Sequence, residues 1–184
     1  MADKKQEIVD AATRAVKRDG LRSVSFRTLA DEVAVKSSSV HYHFPTKQHL
    51  AASLVEDYTT AFAERLGAIE RTQTNLAAKL DAVVDIFADV RAGNDLCLCG
   101  MLAAELTALD DTTRDALRRF FQLTEAWLKK SLDEAGNGGL AELANDQLAR
   151  AFLSGLEGAV LLDRAEDSHE RLQAMRAFAR TIAT

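Results

Sequence analysis

The chain has 184 residues, of which 47% are hydrophobic, and it contains one proline and nine glycines. This composition indicates a folded, predominantly helical protein of one or two domains, without internal repeats or low-complexity tracts. No stretch approaches the roughly 18 unbroken apolar residues of a membrane span, and residues 1–6 carry charges with no apolar run behind them. We therefore expect neither a membrane segment nor a signal peptide.

The charge is distributed unevenly along the chain. Residues 1–50 contain nine Lys or Arg and six Asp or Glu, a net charge of +3, whereas the whole chain carries −5, so residues 51–184 carry −8. A basic segment joined to an acidic one is expected when only the first meets a polyanion. The modest charge of the basic segment predicts few phosphate contacts per subunit, so useful affinity would need two subunits on one site.

The first three predicted helices form a helix-turn-helix unit. An opening helix is predicted over residues 4–19 and ends at Gly20, because glycine adopts the left-handed conformation of a helix C-cap with little strain. Ser25 is expected to cap a second helix over residues 26–33. After a turn, a third short helix runs over residues 37–44 and stops before Pro45, and Thr46 can cap the next one. Two short helices joined by a tight turn, at about residues 26–45, are typical of a DNA-binding motif.

The third helix separates an apolar face from a polar one. Val40 and Phe44 lie four residues apart and are expected to pack against the preceding helices. The outward residues are donors and stacking groups suited to phosphates and base edges: Lys36, Ser38, Ser39, Tyr42 and His43. Because this face has no acidic residue, we favour DNA binding over the alternative, a three-helix core with a solvated face.

The segment VAVKSSSVHYHFPTKQHL resembles the signature of the TetR family of bacterial transcriptional regulators. In that family a short reading helix ends in a Tyr- and His-rich segment, which is followed by Phe-Pro-Ser/Thr-Lys. A long helix comes next, with an apolar residue three positions after the Lys, here Leu50. The resemblance extends back through EIVDAATRAVKRDGLRSVSFRTLADEVAV and so covers about the first third of the chain closely. The sequence departs from the pattern at Ala34, where many members carry Gly, and at Lys36, where Ser often caps the reading helix.

This resemblance implies a homodimeric, ligand-responsive regulator, a repressor in most cases, whose two reading helices enter successive major grooves of a palindromic double-stranded DNA operator. By analogy with the family, the groove-facing residues are Lys36, Ser38, Ser39, His41, Tyr42 and His43, with Ser37 beside them. The implied phosphate contacts come from Arg27, Thr28, Tyr42 and Lys47, aided by the start of the fourth helix. A small apolar or amphipathic effector bound in the body would tilt that helix and change the spacing of the two heads.

The rest of the chain predicts an all-α fold, in which a long helix joins the three-helix head to a C-terminal helical-bundle body. That long fourth helix is expected from Lys47 to near Arg71. Five more helices are predicted, the last of them capped by Ser168: residues 76–91, 96–109, 114–135, 144–166 and 170–183. The sequence GNGG at 136–139 predicts a flexible loop. We therefore assign residues 1–50 to a DNA-binding domain and residues 51–184 to a ligand-binding and dimerisation domain.

Three consecutive body helices carry candidate effector-binding residues. The set is mostly apolar with two carboxylates: Phe87, Val90, Leu98, Met101, Leu102, Glu105, Phe121, Glu125 and Trp127. Small-molecule pockets are usually apolar with a few placed polar groups. The alternative is that these side chains are ordinary core, and a small-molecule site in this region is what the family resemblance implies.

Cys97 and Cys99 are separated by one residue, so in a helix their side chains point to different faces and a disulfide between them is disfavoured. A reducing, cytoplasmic setting is therefore expected. One thiol could sense electrophiles or oxidants, as in some members of the family. No Lys, Arg or His lies within four positions to stabilise a thiolate, so we favour a packing role. The pair also lacks metal-ligand spacing.

The last two helices carry a candidate dimer interface, formed by apolar and small residues: Phe152, Leu153, Gly155, Leu156, Ala159, Val160, Phe178 and Ile182. A helix that is apolar on more than one face must be covered on several sides. Burial within one subunit fits this pattern equally well. In TetR-like regulators these helices pair with their copies in a four-helix interface, and the resemblance favours that interpretation.

The chain has no Gly-rich phosphate loop, no carboxylates paired for acid–base work and no nucleophile elbow. His41, His43 and His49 cluster inside the DNA-reading unit, and no cofactor is expected. We therefore predict a DNA-binding transcriptional regulator rather than an enzyme. A catalytic helical bundle, which would show turnover, and a helical adaptor for protein partners are the alternatives.

Overall fold

The computed structural model describes residues 4–136 and 143–184, and these residues form nine α-helices and two short 3-10 turns, with no strand. This confirms the predicted all-α fold. The helices are α1 (Lys4–Asp19), α2 (Phe26–Glu32), α3 (Ser37–His43), α4 (Lys47–Thr72), α5 (Leu76–Ala92), α6 (Leu98–Ala104), α7 (Asp111–Ala135), α8 (Asn145–Ala165) and α9 (Glu170–Ile182). None of the helices in this part of the chain combines the length and apolarity that crossing a bilayer requires.

The chain divides into two compact units. The head unit comprises Met1–Thr60 and Leu98–Phe120, and the body unit comprises Ala61–Cys97 and Phe121–Thr184. These bounds differ from the predicted division after residue 50 because α6, which was expected in the body, packs against α1. Helices α4 and α7 each begin in the head unit and end in the body unit.

The head unit is built around α1, which contacts α2, α3 and α6. Its apolar stripe is buried, with Ile8 and Val16 fully covered. Two predicted caps are also present. The Ser25 hydroxyl accepts a hydrogen bond from the Thr28 N–H at 3.1 Å, and the Thr46 hydroxyl accepts one from the His49 N–H at 3.3 Å. These bonds satisfy helix-start donors and fix where α2 and α4 begin.

The turn between α2 and α3 requires a left-handed residue. Ala34 has φ of 53°, the Val35 N–H donates to the Ala30 carbonyl at 2.9 Å, and the Ala34 N–H donates to the Asp31 carbonyl at 3.4 Å. This is the Schellman pattern, in which glycine usually occupies the left-handed position. The sequence therefore places a residue with a Cβ where the backbone favours one without.

The body unit packs α5 against both α8 and α9, which also contact each other. Phe62 of α4 meets Phe87 of α5 edge to face, with ring centroids 6.3 Å apart. Phe152 of α8 stacks on Phe178 of α9 at the same centroid distance. These aromatic contacts fasten the helices of the unit to one another.

Asp163, and not Ser168, organises the start of α9. His169 occupies the cap position without a side-chain cap bond, and the Ser168 hydroxyl donates to Asp163 at 2.9 Å, so the predicted Ser168 cap is wrong. The fully buried Asp163 carboxylate instead accepts the N–H groups of Arg171 and Leu172, at 3.1 and 3.0 Å. A carboxylate from the preceding helix has replaced the local cap because it can accept several donors at once.

Two other predicted segments differ in detail. The single helix expected over 96–109 is α6 followed by a 3-10 turn, Leu106–Ala108, because bonds such as Ala108 N–H to the Glu105 carbonyl span three residues. Within the predicted loop GNGG, Gly136 has φ of 81°. Residues 137–139 lie outside the described residues.

Candidate nucleic-acid interface

The reading helix α3 is held by its apolar face. Val40 is fully buried, and Phe44, just after the helix, is 2% exposed. The ring of Phe26, the first residue of α2, meets the His41 ring edge to face with centroids 4.8 Å apart. The predicted scaffolding roles of Val40 and Phe44 therefore agree with their positions, and the remaining faces of α3 point away from the core.

The predicted DNA-binding residues, which we call the DNA-binding surface, lie on α2, on α3 and just before it, and at the start of α4. Seven are exposed: Arg27, Thr28, Lys36, Ser37, Ser38, His41 and Tyr42. Three are partly buried: Ser39, His43 and Lys47. The Tyr42 ring is 83% exposed, the highest value among the large exposed hydrophobic residues in the described ranges. An aromatic ring presented in this way, beside hydroxyl groups and cations, suits a phosphate and sugar surface better than a protein core.

Two members of this surface are engaged with the protein itself. The Thr28 and Ser25 hydroxyl groups lie 2.7 Å apart. The Lys47 ammonium donates to the carbonyls of Leu21 and Arg22, at 3.1 and 3.4 Å. Lys47 therefore stabilises the 3-10 turn Leu21–Ser23, a role that sequence analysis missed because the partners lie 26 and 25 residues away.

The residue that follows α6, Glu105, also binds this turn. The Glu105 carboxylate accepts a hydrogen bond from the Arg22 N–H at 3.1 Å. Gly20 has φ of 83°, and a Cβ at this position would collide with Glu105 Oε1. The Arg22 guanidinium also reaches the Thr107 hydroxyl at 3.4 Å. We call the contact of Glu105 with Gly20 and Arg22 the head latch, because it ties the end of α6 to the segment that leads into α2.

The candidate effector residues are not gathered within one unit. Four belong to the head unit: Leu98, Met101, Leu102 and Glu105. Five belong to the body unit: Phe87, Val90, Phe121, Glu125 and Trp127. Glu105 contributes to the head latch, and Glu125 lines a shallow cleft of about 190 Å³ together with Asp146 and Arg150.

Trp127 and Ser131 give the body unit buried polar atoms without partners. The Trp127 indole N–H and the Ser131 hydroxyl, four residues apart on α7, are buried and have no hydrogen-bond partner among the described residues. Buried polar groups in proteins are nearly always paired with protein, water or ligand. Ser131 was not among the predicted effector residues, and only its helical spacing from Trp127 could have indicated it.

Most candidate dimer-interface residues are covered by their own subunit. Six are between 0 and 4% exposed: Phe152, Leu153, Leu156, Ala159, Val160 and Ile182. Gly155 faces Met175 of α9, and Phe178 stacks within the subunit. For these side chains the structure agrees with the alternative, burial within one subunit. The exposed side of α8 carries other residues, among them Leu161 and Leu162 at 54 and 48% exposure.

Both cysteines are buried, and Cys97 lies beside a carboxyl group that sequence analysis did not identify. Burial raises the pKa of Glu157 to about 7, and a hydrogen bond with the Cys97 side chain opposes that rise. A carboxylate next to a thiol disfavours the thiolate, which is the reactive form. The predicted packing role of Cys97 is therefore consistent with its surroundings. The described residues contain no group of three or more His, Cys, Asp or Glu that could hold a metal ion.

The two parts of the sequence match two family models. Residues 8–54 match the model described as bacterial regulatory proteins, tetR family. Residues 74–178, more than half of the chain, match the model of the C-terminal domain of LmrA/YxaF-like transcriptional regulators.

Similar proteins cover nearly the whole chain. The HTH-type nicotine-responsive transcriptional repressor HdnoR of Paenarthrobacter nicotinovorans is 24% identical over 170 residues, covering 92% of this chain and 88% of that protein. The transcriptional regulator AcuR of Cereibacter sphaeroides is 28% identical over 189 residues, covering 97% and 85%. A crystal structure of a TetR transcriptional regulator from Legionella pneumophila superposes with a TM-score of 0.93 at 26% identity, covering 100% and 99%.

Proposed function

This chain belongs to the TetR family of bacterial regulatory proteins, and on that premise we propose that it is a homodimeric repressor of transcription that a small organic effector releases from a palindromic operator. Regulation of transcription through DNA binding is the function of the family, which is not a class of enzymes. Repression, the effector and the dimer are the parts that we propose.

The exposed face of α3 carries the proposal. It presents Lys36, Ser38, His41 and Tyr42 to solvent, while Val40 anchors the helix from behind. No Asp or Glu occurs in Ser37–His43 to repel phosphates. Hydroxyl groups and imidazoles can hydrogen-bond to base edges, and a lysine can neutralise a phosphate. We propose that α3 enters the major groove with this face.

The small positive charge of residues 1–50 and the exposed face of α8 support a dimer. Residues 1–50 carry +3, so one head neutralises few phosphates, and two heads on a palindrome are needed for tight binding. Exposed small and apolar residues repeat along α8 at helical spacing: Ala151, Ser154, Leu161, Leu162 and Ala165. We propose that this stripe, which we call the α8 stripe, packs against its copy around a twofold axis.

An organic effector is favoured over a thiol-based signal. Cys97 and Cys99 are 2 and 0% exposed, and the neighbouring Glu157 disfavours a thiolate. The body unit instead holds buried polar atoms that lack a partner among the described residues, among them Trp127 Nε1. The similarity to a repressor named as nicotine-responsive supports both repression and an organic effector for this chain.

Fluorescence anisotropy with labelled duplexes tests the proposal directly. The upstream region of the protein's own gene and a shuffled duplex of equal length are titrated at low and moderate salt. We expect a preference for the upstream duplex and a stoichiometry of two chains per site. Equal binding to every duplex at all salt concentrations, or no binding at all, would contradict the proposed function.

A further inference from the structure

Glu157 of α8 is a buried acid that the proposed DNA binding does not use. Its Oε1 atom is buried and has no hydrogen-bond partner in the described part of the chain. Its one identified polar neighbour is the Cys97 side chain. The residue as a whole is only partly covered, so part of its side chain reaches the surface while its Oε1 atom is buried.

Two other carboxylates of the body unit, Glu70 and Asp81, also have a buried oxygen without a hydrogen-bond partner among the described residues, but both form ion pairs, Glu70 with Lys79 and Asp81 with Arg176. Asp163 accepts bonds from two backbone N–H groups and from side chains. Glu134 binds the Lys79 ammonium at 3.1 Å, and Glu70 binds it at 3.2 Å. Within the described ranges Glu157 takes part in no ion pair. A buried charged oxygen without a donor is costly, and a protein usually neutralises it or supplies a partner.

Leu153 and Val160 flank Glu157 on the inward side of its own helix, and they are 3 and 1% exposed. Ser154 and Leu161, the other two residues about one turn away, are exposed members of the α8 stripe. A partner for the buried carboxylate therefore needs one charged donor, and the part of it that lies beside Leu153 and Val160 must be apolar.

We propose that Glu157 is the anchor of the effector site and that it binds the protonated amine of a small amphipathic molecule. This inference rests on the proposed function and specifies the chemical class of the effector. The ammonium N–H groups bond to Oε1, and the apolar part of the molecule packs beside Leu153 and Val160. An organic acid would place two negative charges together, and a neutral alcohol would satisfy the oxygen without balancing its charge.

Binding of an amine has a proton signature. Because burial raises the pKa of Glu157 to about 7, part of the protein holds this carboxyl in the neutral form at neutral pH. A cation binds the ionised form and lowers the pKa of the carboxyl group, so binding releases a proton when the pH is near or below 7. The affinity for an amine rises as the pH is raised to about 7 and then levels off while the amine stays protonated.

The test uses three probes with one apolar frame: phenylpropylamine, phenylpropanol and phenylpropanoate. Isothermal titration calorimetry of the full chain, in buffers of different ionisation enthalpy, gives the affinities and the protons released. We expect the amine to bind at least about tenfold more tightly than the alcohol, the value of one charge-assisted hydrogen bond. Glu157→Gln should remove this difference and the pH dependence. Glu64→Gln, which removes an exposed carboxylate of the same unit, should preserve both.

Several results would overturn the inference. They are equal affinity for amine and alcohol, tighter binding of phenylpropanoate, unchanged amine binding in Glu157→Gln, or no binding of the amine at millimolar concentration. A shift of Glu157→Gln toward monomers with unchanged amine binding would assign the carboxylate to the subunit contact instead. Operator binding without any probe is measured separately, so failure of the proposed function appears as absent DNA binding in the unmodified protein.

Discussion

Glu105, the residue after α6, accepts a hydrogen bond from the backbone N–H of Arg22, which lies 83 residues earlier in the chain, at 3.1 Å. The bond joins the segment after α6 to the turn that leads into α2. On the opposite side of that turn, Lys47 of α4 donates to the Leu21 and Arg22 carbonyls. The entry to the DNA-reading helices is thus held by one side chain from the segment after α6 and one from α4.

Removing the head latch should loosen this turn. In Glu105→Ala the Arg22 N–H loses its acceptor, and we expect faster hydrogen exchange at Arg22 and a loss of about 1 kcal/mol in unfolding free energy. Glu105→Gln keeps a carbonyl acceptor and should retain most of the protection. Hydrogen exchange followed by mass spectrometry measures both. Unchanged exchange at Arg22 in Glu105→Ala would show that the bond does not order the turn.

Replacing Ala34 with glycine should stabilise the protein, whereas most substitutions in a core or a turn destabilise it. Ala34 has φ of 53°, a conformation that costs a residue with a Cβ roughly 1 kcal/mol or more and costs glycine little. We expect Ala34→Gly to raise the unfolding free energy by several tenths of a kcal/mol, because the added freedom of the unfolded chain offsets part of the gain. Ala126→Gly, at an exposed position inside α7, should lower it by about 1 kcal/mol. Denaturant titrations measure the change in unfolding free energy, which should be positive for Ala34→Gly and negative for Ala126→Gly.

Asp163 should make a large contribution to stability that depends on pH. Burial alone would raise the pKa of Asp163, but hydrogen bonds from Leu172, Arg171 and Ser168 outweigh burial and lower it. The folded state therefore favours the ionised carboxylate, and this stabilisation is fully present above the unfolded pKa of about 3.9 and is lost as the pH falls below it.

We expect Asp163→Asn to cost about 2–4 kcal/mol at pH 7, since the amide replaces an acceptor with a donor that faces N–H groups. The difference from the unmodified protein should shrink as the pH is lowered below the unfolded pKa of about 3.9. Urea titrations across this range measure it. A difference that stays constant with pH would mean that the carboxylate contributes by shape rather than by charge.

The two lysines of the DNA-binding surface should behave differently when removed. Lys36 is exposed and its side chain makes no cap bond, whereas Lys47 binds two backbone carbonyls of the 3-10 turn. We expect Lys36→Ala to lower the slope of log affinity against log salt by about 1 and to leave stability unchanged. Lys47→Ala should weaken DNA binding and also destabilise the head. Anisotropy and thermal unfolding separate these effects, with Lys129→Ala in the body unit as the control.

A charge in the α8 stripe should separate the subunits. Leu161 and Leu162 are half exposed in the single chain, so Leu161→Glu changes a surface and leaves the core intact. We expect monomers in sedimentation equilibrium, an unchanged helical content, and loss of tight operator binding. Ala126→Glu, exposed on α7, should remain a dimer. If Leu161→Glu stays dimeric, the interface lies elsewhere.

Local chemistry decided which features could be predicted from the sequence. The Ser25 and Thr46 caps bind residues three positions away, and the helix boundaries follow from the period of the apolar residues. Both features could therefore be predicted from the sequence. Ser168 failed as a cap because Asp163, from another helix, supplies a better acceptor. Glu105 was assigned to an effector site because no nearby residue reveals its partner at Arg22.

The candidate dimer residues illustrate a second limit. The apolar pattern of α8 correctly indicated a helix that is covered on more than one side, but it did not reveal which side its own subunit covers. That depends on where α5 and α9 pack, and a difference of one residue along the helix separates the buried Val160 from the exposed Leu161. The assignment of interface residues therefore needed the packed unit.

The firm seating of α3 has a kinetic consequence. Val40 and Phe44 are buried in the core and Tyr42 is exposed, so we expect the helix to enter a groove without backbone rearrangement. The conformational entropy of Val40 and Phe44 is lost when the protein folds and not when it binds DNA. The encounter with DNA should then be governed by diffusion and long-range attraction, so that weak and strong operators differ in how long the complex lasts and little in how fast it forms.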